Sequence, residues 1–178
     1  MTRGPAHVLM PNRNRRPTKF VADAMLGSLA RKTRALGFDT TYYSHGDDEG
    51  IMRVAKSENR VVLTADKYLA GRARSGCARI LFVSGNSDGR RLASMLLAAR
   101  SSGVTLVRGG SLCSLCGGVL QKIRKSDVAG RVPLVVERHH RLFYRCLACG
   151  RYYWKGSHWK KLRWFERILA EVPVATIS

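Results

Sequence analysis

Residues 61–70 read VVLTADKYLA. Val61, Val62 and Leu63 make a short continuous apolar run, the pattern of a strand buried on both faces. Thr64-Ala65-Asp66 ends it, and a helix is expected next, with Tyr68, Leu69 and Ala73 inward. A doubly covered strand that ends in an acid and runs into a helix belongs to a mainly parallel sheet with helices on its faces. The unit recurs upstream. Residues 19–22 form an extended stretch ending at Asp23, and a helix is expected over 24–36. Met25, Leu26, Leu29, Ala30 and Leu36 face inward there, Arg31, Lys32 and Arg34 fall mostly on the opposite face, and Gly37 is the stop. Residues 38–43 predict a strand, and Asp47-Asp48 open a helix whose inner face is Ile51, Met52, Val54 and Ala55. Downstream, Ile80 to Val83 repeats the buried run. The turn 85–89 then leads into a helix through Leu92, Met95, Leu96 and Leu97, and 104–107 predicts a last strand. Right-handed crossovers place all the strand-to-helix turns along one edge.

Composition narrows the function. The 178 residues are 45% hydrophobic, enough for one ordinary domain and a small module. The formal charge is +20, spread as +11 over residues 1–110 and +9 over 111–178. Such an excess on both parts favours a polyanionic partner, most simply nucleic acid, over a merely basic soluble protein or an acidic-lipid binder. No run is long and apolar enough to span a membrane, and the opening residues lack the apolar stretch of a secretory signal. A reducing, cytoplasmic setting is expected. Residues 1–18 are Arg-rich and acid-free, and read as a flexible basic tail in preference to an organelle transit segment.

Two Cys-x-x-Cys pairs, Cys113/Cys116 and Cys146/Cys149, stand 29 residues apart. Four thiolates in two close pairs suit a structural, tetrahedral Zn²⁺ site with no open position. An iron–sulfur cluster also accepts four cysteines, though nothing nearby favours redox chemistry. Gly117 and Gly150 follow the second cysteine of each pair, where a tight turn requires positive φ. His139, His140 and His158 are not needed as ligands, and Cys77 reads as a small buried residue. Gly109-Gly110 is a candidate hinge, 111–156 a zinc ribbon with strands at 132–137 and 142–145, and Ser157 the cap of a final helix.

Asp23, Asp48 and Asp66 each follow a strand or loop and precede a helix. Ligands collect at the carboxyl ends of strands in such sheets. Clustered carboxylates suit Mg²⁺ or Mn²⁺, which activate water and stabilise charge on a phosphodiester under attack. Any one of these aspartates also reads as a helix N-cap. Together they are more telling, because Ser, Thr or Asn would cap as well, yet an acid-poor chain uses Asp each time. Asp47 and Glu49 adjoin Asp48 and can substitute for it. Asp88 is a possible fourth member, with Ser87 competing for its capping role.

The stretches KFVADAMLGSLARKTRALGFDT and DDEGIMRVAKSENRVVLTADKYLA, the two cysteine pairs and YYWKGSHW together resemble the Mut-seven C-terminal RNase family over about residues 19–170. The resemblance implies a PIN-like three-layer α/β/α nuclease domain (19–108), then a zinc ribbon with a C-terminal helix (109–170) and a short tail (171–178). It also implies metal-dependent RNA hydrolysis. Asp23 carries over as the first acid, Asp66 as the acid of the LT-x-D turn, and Asp48 as the acid seven residues before Ala55. The family commonly has Arg where this turn has Ala65.

Tyr144, Tyr152, Tyr153, Trp154, Trp159 and Trp164 interleave with Arg145, Arg151, Lys155, Lys160, Lys161 and Arg163. Aromatics beside cations stack bases and hold phosphates, so those cations are the expected RNA contacts, with ribosomal RNA or tRNA as candidate partners. The same aromatics can instead fill a small core, and a mixture is expected. Two other functions fit the sequence: a non-catalytic RNA- or ribosome-binding protein on the same fold, and a zinc-ribbon factor acting through protein contacts.

Overall fold

The structure is a computed structural model that describes residues 16–72 and 78–156, and the backbone of 174–176. Four short strands, β1 (Lys19–Ala22), β2 (Asp39–Tyr42), β3 (Val61–Thr64) and β4 (Ile80–Phe82), form a parallel sheet in the order β2-β1-β3-β4. The chain leaves β1 for β2 on one side and then returns across to β3 on the other. The order therefore reverses between β1 and β3, at the middle of the sheet.

Helices cover both faces. α1 (Gly27–Ala35) and α4 (Asp88–Ser101) bury Leu29, Ala30, Leu92, Met95 and Leu96 against Phe20, Ala22, Leu63 and Leu81. α2 (Asp48–Ser57) and α3 (Lys67–Gly71) bury Ile51, Met52, Ala55 and Leu69 against Val21 and Val62 on the other face. Alternate residues of one strand thus serve two cores, which is why β3 reads as an unbroken apolar run.

Several inward assignments are corrected. The helix expected from residue 24 begins as a 3₁₀ turn, Ala24–Leu26, which turns Met25 outward at 61% exposure. Tyr68 and Leu97 are also exposed, at 76% and 63%. Each lies next to a residue that does reach the core, Leu69 or Leu96, and one helical step turns the neighbour away. Arg34 departs in the other direction. Helical spacing sets it on the outer face, yet it is only 7% exposed.

β5 (Leu106–Arg108) does not extend the sheet. It pairs in parallel with β9 (Val174–Thr176), in a stretch expected to be tail, and Val107 O accepts from Thr18 N–H at 2.9 Å. Gly109, read as a hinge, donates its N–H to Gly37 O at 2.8 Å. β6 (Leu120–Ile123), β7 (Phe143–Cys146) and β8 (Tyr152–Trp154) form an antiparallel sheet, and Phe143 in β7 and Val128 between β6 and β7 are fully buried. The strand expected over 132–137 is instead α5 (Leu134–His139). Pro133, just before it, has no N–H to give a strand ladder, and β6 and β8 already flank β7. The final helix capped by Ser157, the basic tail over 1–15, Ala73 and Cys77 lie outside the described residues. So do His158, Trp159, Lys160, Lys161, Arg163 and Trp164.

Candidate active site and metal centre

The carboxyl edge of the sheet is organised by one hydroxyl. Asp23 is the first residue after β1, and its N–H continues the ladder to Leu63 O at 3.0 Å. Across the gap, Thr64 ends β3 and is fully buried. Its hydroxyl donates to Asp23 Oδ2 at 2.8 Å and accepts from Asp66 N–H at 2.9 Å. A buried hydroxyl must find partners, and here they are the Asp23 carboxylate and the backbone N–H of Asp66. This pair sits between β1 and β3, where the strand order reverses and where α/β sheets bind ligands.

The acids differ in what they do locally. Asp66 is the N-cap of α3, accepting from Tyr68 N–H at 2.6 Å. Asp47 is the N-cap of α2. It accepts from Gly50 N–H and from the Tyr43 hydroxyl, both at 2.5 Å. The Tyr43 bond first, and then the Gly50 bond, hold its carboxyl below the ordinary range. A Cβ on Gly50 would collide with the Tyr43 hydroxyl, so this packing requires glycine. Asp23 makes no capping bond. Asp48 is in the first turn of α2, 3.8 Å from Arg72 at the far end of α3. Asp88 accepts from Ser28 at 3.0 Å and pairs with Lys32 at 2.9 Å, tying α4 to α1, while Ser87 caps α4. Burial pushes the Asp88 carboxyl up, but Lys32 and Ser28 outweigh it and hold it down. Ala65 packs against the α1–α4 core.

The cysteines form the second centre. Their sulfurs all lie within 4.8 Å, with Cys113–Cys149 at 3.7 Å and Cys116–Cys146 at 3.5 Å. Sulfurs about 2.3 Å from a tetrahedral zinc stand about 3.8 Å apart, so the set fits such an ion. Among the described residues this is the one group of three or more ligating side chains drawn together closely enough to hold a metal. Each pair sits on a turn closed by a glycine N–H: Gly117 to Cys113 O at 2.8 Å, and Gly150 to Cys146 O at 3.0 Å. Both glycines have positive φ, +81° and +72°, as the sequence predicts. Gly118 is constrained by space. A Cβ there would lie 2.7 Å from Ala148 Cβ and 2.9 Å from Cys146 Sγ.

The thiols oppose one another's ionisation. Burial pushes Cys113 up, but the Tyr153 hydroxyl, 2.9 Å away, and the Cys116 N–H outweigh it and bring its pKa to about 6. The Gly118 N–H favours the Cys116 thiolate, but burial and the three neighbouring sulfurs prevail and push it to about 12. A divalent cation removes that conflict.

Sequence reasoning missed Thr64 as the link between two acids, and missed Arg34 and Tyr153 beside the cysteines. The LT-x-D turn pointed at Thr64, but its bond to Asp23 depends on strand register. Of the expected RNA contacts, Arg145 and Arg151 are exposed on the ribbon, as is Lys155. Arg145 lies over the Tyr152 ring at 5.9 Å. Tyr144, Tyr152, Tyr153 and Trp154 are half-buried. No helix among the described residues is long and apolar enough to cross a membrane.

A family model described as the Mut7-C RNAse domain matches residues 18–165. Neither the curated proteins nor the solved structures contain a match to the chain. The family match points to a nuclease-like function on RNA.

Proposed function

The chain belongs to the Mut7-C RNAse domain family, and on that premise we propose that it is a metal-dependent ribonuclease with a PIN-like three-layer α/β/α domain. The observation that carries the reading is Asp23. It lies at the switch point, caps no helix, and has its carboxylate aimed by the buried Thr64 hydroxyl that also holds Asp66. Mg²⁺ keeps several waters and is commonly held by one or two carboxylates together with substrate phosphates. Asp23 and Asp66 fit that donor set, and Asp48 is the third candidate from the start of α2. A bound Mg²⁺ or Mn²⁺ supplies water activation and charge stabilisation at phosphorus. The chain's own residues do the rest. Thr64 aims the Asp23 carboxylate and holds the backbone of Asp66, whose own carboxylate is held by the Tyr68 N–H. Met25 and Tyr68, each two residues after one of these acids, are exposed and offer apolar surface for an unpaired base. The ribbon cations Arg145, Arg151 and Lys155 hold the strand, with ribosomal RNA and tRNA as candidate substrates. The cysteine centre, read as zinc, keeps the ribbon folded.

Purified protein on labelled single-stranded and structured RNA, with Mn²⁺ or with chelator, tests the reading. Cleavage is expected in Mn²⁺ and strongly reduced in both Asp23→Asn and Asp66→Asn. Cleavage at the parental rate by both variants overturns it.

A second reading has its own support. Ala65 stands where the family commonly has Arg, and Asp66 and Asp47 both serve as helix caps. A non-catalytic RNA binder on this fold would bind with steep salt dependence and cut nothing in any divalent metal.

A further inference from the structure

Arg34 lies in α1, eleven residues after Asp23, and its guanidinium crosses to the ribbon. Its Nε donates to Thr40 O in β2 at 2.6 Å, and its Nη1 donates to Leu115 O at 2.5 Å and Ser114 O at 3.4 Å. Ser114 and Leu115 are the two residues between Cys113 and Cys116. The side chain is thus one planar fork holding the α/β sheet at one prong and the first cysteine turn at the other. It is 7% exposed, and its hydrogen bonds all run to carbonyls, with no carboxylate among them.

A buried cation bonded only to neutral oxygens needs a compensating charge, and, against burial, the groups that favour its charged form are Cys116 and Cys113 first, with Asp39 after them. Four thiolates around a divalent ion form a site with a net dianionic charge, and that site is reached through the turn Arg34 grips. Gly117 follows the same turn, and a Cβ there would come within 3.5 Å of Arg34 Nε, so the guanidinium packs against the metal loop itself.

We propose that Arg34 is part of the metal centre: it is the counter-cation of the filled cysteine site and couples metal occupancy to the order of the α1–β2 edge. The inference rests on the zinc reading of the cysteines and not on nuclease activity. Loss of metal loosens the 113–116 turn, takes the Ser114 and Leu115 acceptors from Arg34 and lowers the anionic charge beside it, and leaves a buried cation held by Thr40 O, with Asp39 already paired to Arg60. The edge of the sheet then opens with the ribbon.

Two measurements on the full zinc-loaded chain test this. The first is hydrogen exchange with and without chelator. Chelation is expected to deprotect residues 33–42 together with 111–118, while β3 and β4 stay protected. Deprotection confined to the ribbon overturns the proposal, and this arm needs no variant to fold. The second is zinc release to a chelating dye. Partners outside the ligand shell commonly change metal affinity by about 10- to 100-fold, so Arg34→Met should release zinc faster by a factor of that order. Arg34→Lys keeps the charge but not the fork, and should fall between. Release from Arg34→Met at the parental rate overturns the proposal while leaving the zinc reading intact. A chain that takes up no zinc overturns both.

Discussion

The cysteine centre and the acid edge are two sets of candidate ligands, and they are built in opposite ways. The four sulfurs already lie within 4.8 Å of one another. Each pair comes from a single local turn, so only the meeting of two turns depends on the fold. The acids come from three separate strand-to-helix junctions, and most are also engaged locally. Asp66 and Asp47 cap helices, and Asp48 lies near Arg72. On the proposed function, the difference reflects the ion each set would hold. Soft thiolates close a complete shell around zinc. Carboxylates that hold Mg²⁺ leave room for water and phosphate, so they need to share an edge and need not touch beforehand. Thr64 links two of them, Asp23 through its carboxylate and Asp66 through its N–H.

The largest effect that would separate the two centres comes from breaking the preassembled one. Structural zinc contributes on the order of 10–16 kcal/mol to small modules. Cys146→Ser is therefore expected to unfold β6, β7 and β8 and to lower bound zinc, read by hydrogen exchange and metal analysis. A ribbon that stays protected would show that its core stands without metal.

At the acid edge the expected loss is in rate. Asp23→Asn keeps an oxygen to accept from Thr64 but removes the charge. Cleavage should fall by about 10²- to 10⁴-fold, the loss of several kcal/mol of charge stabilisation, with RNA affinity unchanged or raised. An equal fall in affinity would assign Asp23 to binding.

Thr64→Val sharpens the comparison, because it removes the link and keeps the volume. Asp66 is exposed, so its freed N–H can turn to water and only the net worth of a hydrogen bond is lost, about 0.5–1.5 kcal/mol. A slightly lower melting temperature is expected together with reduced cleavage. Thr64→Ser should restore both. The matching test in the ribbon is Gly118→Ala, whose Cβ would press on Ala148 and Cys146. Overpacking of this kind costs about 1–3 kcal/mol, visible as weaker zinc retention.

The smallest effect concerns Asp47, the acid held by its cap bond and by the Tyr43 hydroxyl. Its carboxyl is depressed in the folded chain, mainly by Tyr43. A depressed carboxyl stabilises the fold above its unfolded pKa, and that stability is lost as pH falls through the folded value. Tyr43→Phe should therefore melt slightly lower at neutral pH, and the gap should close in acid below the ordinary Asp range. A gap that persists in acid would mean that Tyr43 acts by packing.

Much of this was legible in local pattern. The run VVLT followed by Asp66, and its repeats, foretold a parallel sheet because a strand covered on both faces has no polar alternation to show. Residues 132–137 misled because Val135 and Val136 are β-formers, whereas Pro133 and the pairing of β7 on both its sides decided for a helix. Arg34 misled because helical spacing places it beside Arg31 and Lys32, and only the pairing of β2 and the docking of the cysteine turn supply the carbonyls that bury it.

Read alone, the chain settled what depends on neighbours a few residues apart: the alternation of strands and helices, the helix-opening aspartates, and the two cysteine turns with their glycines. Tertiary structure decided what depends on register between distant segments. It set the order β2-β1-β3-β4, brought the Thr64 hydroxyl between Asp23 and Asp66, and led Arg34 across to the metal turn. The physical reason is one of range. Turn geometry and helical periodicity act within a few residues, whereas hydrogen bonds between residues forty or eighty positions apart exist only after burial of the sheet has fixed the register.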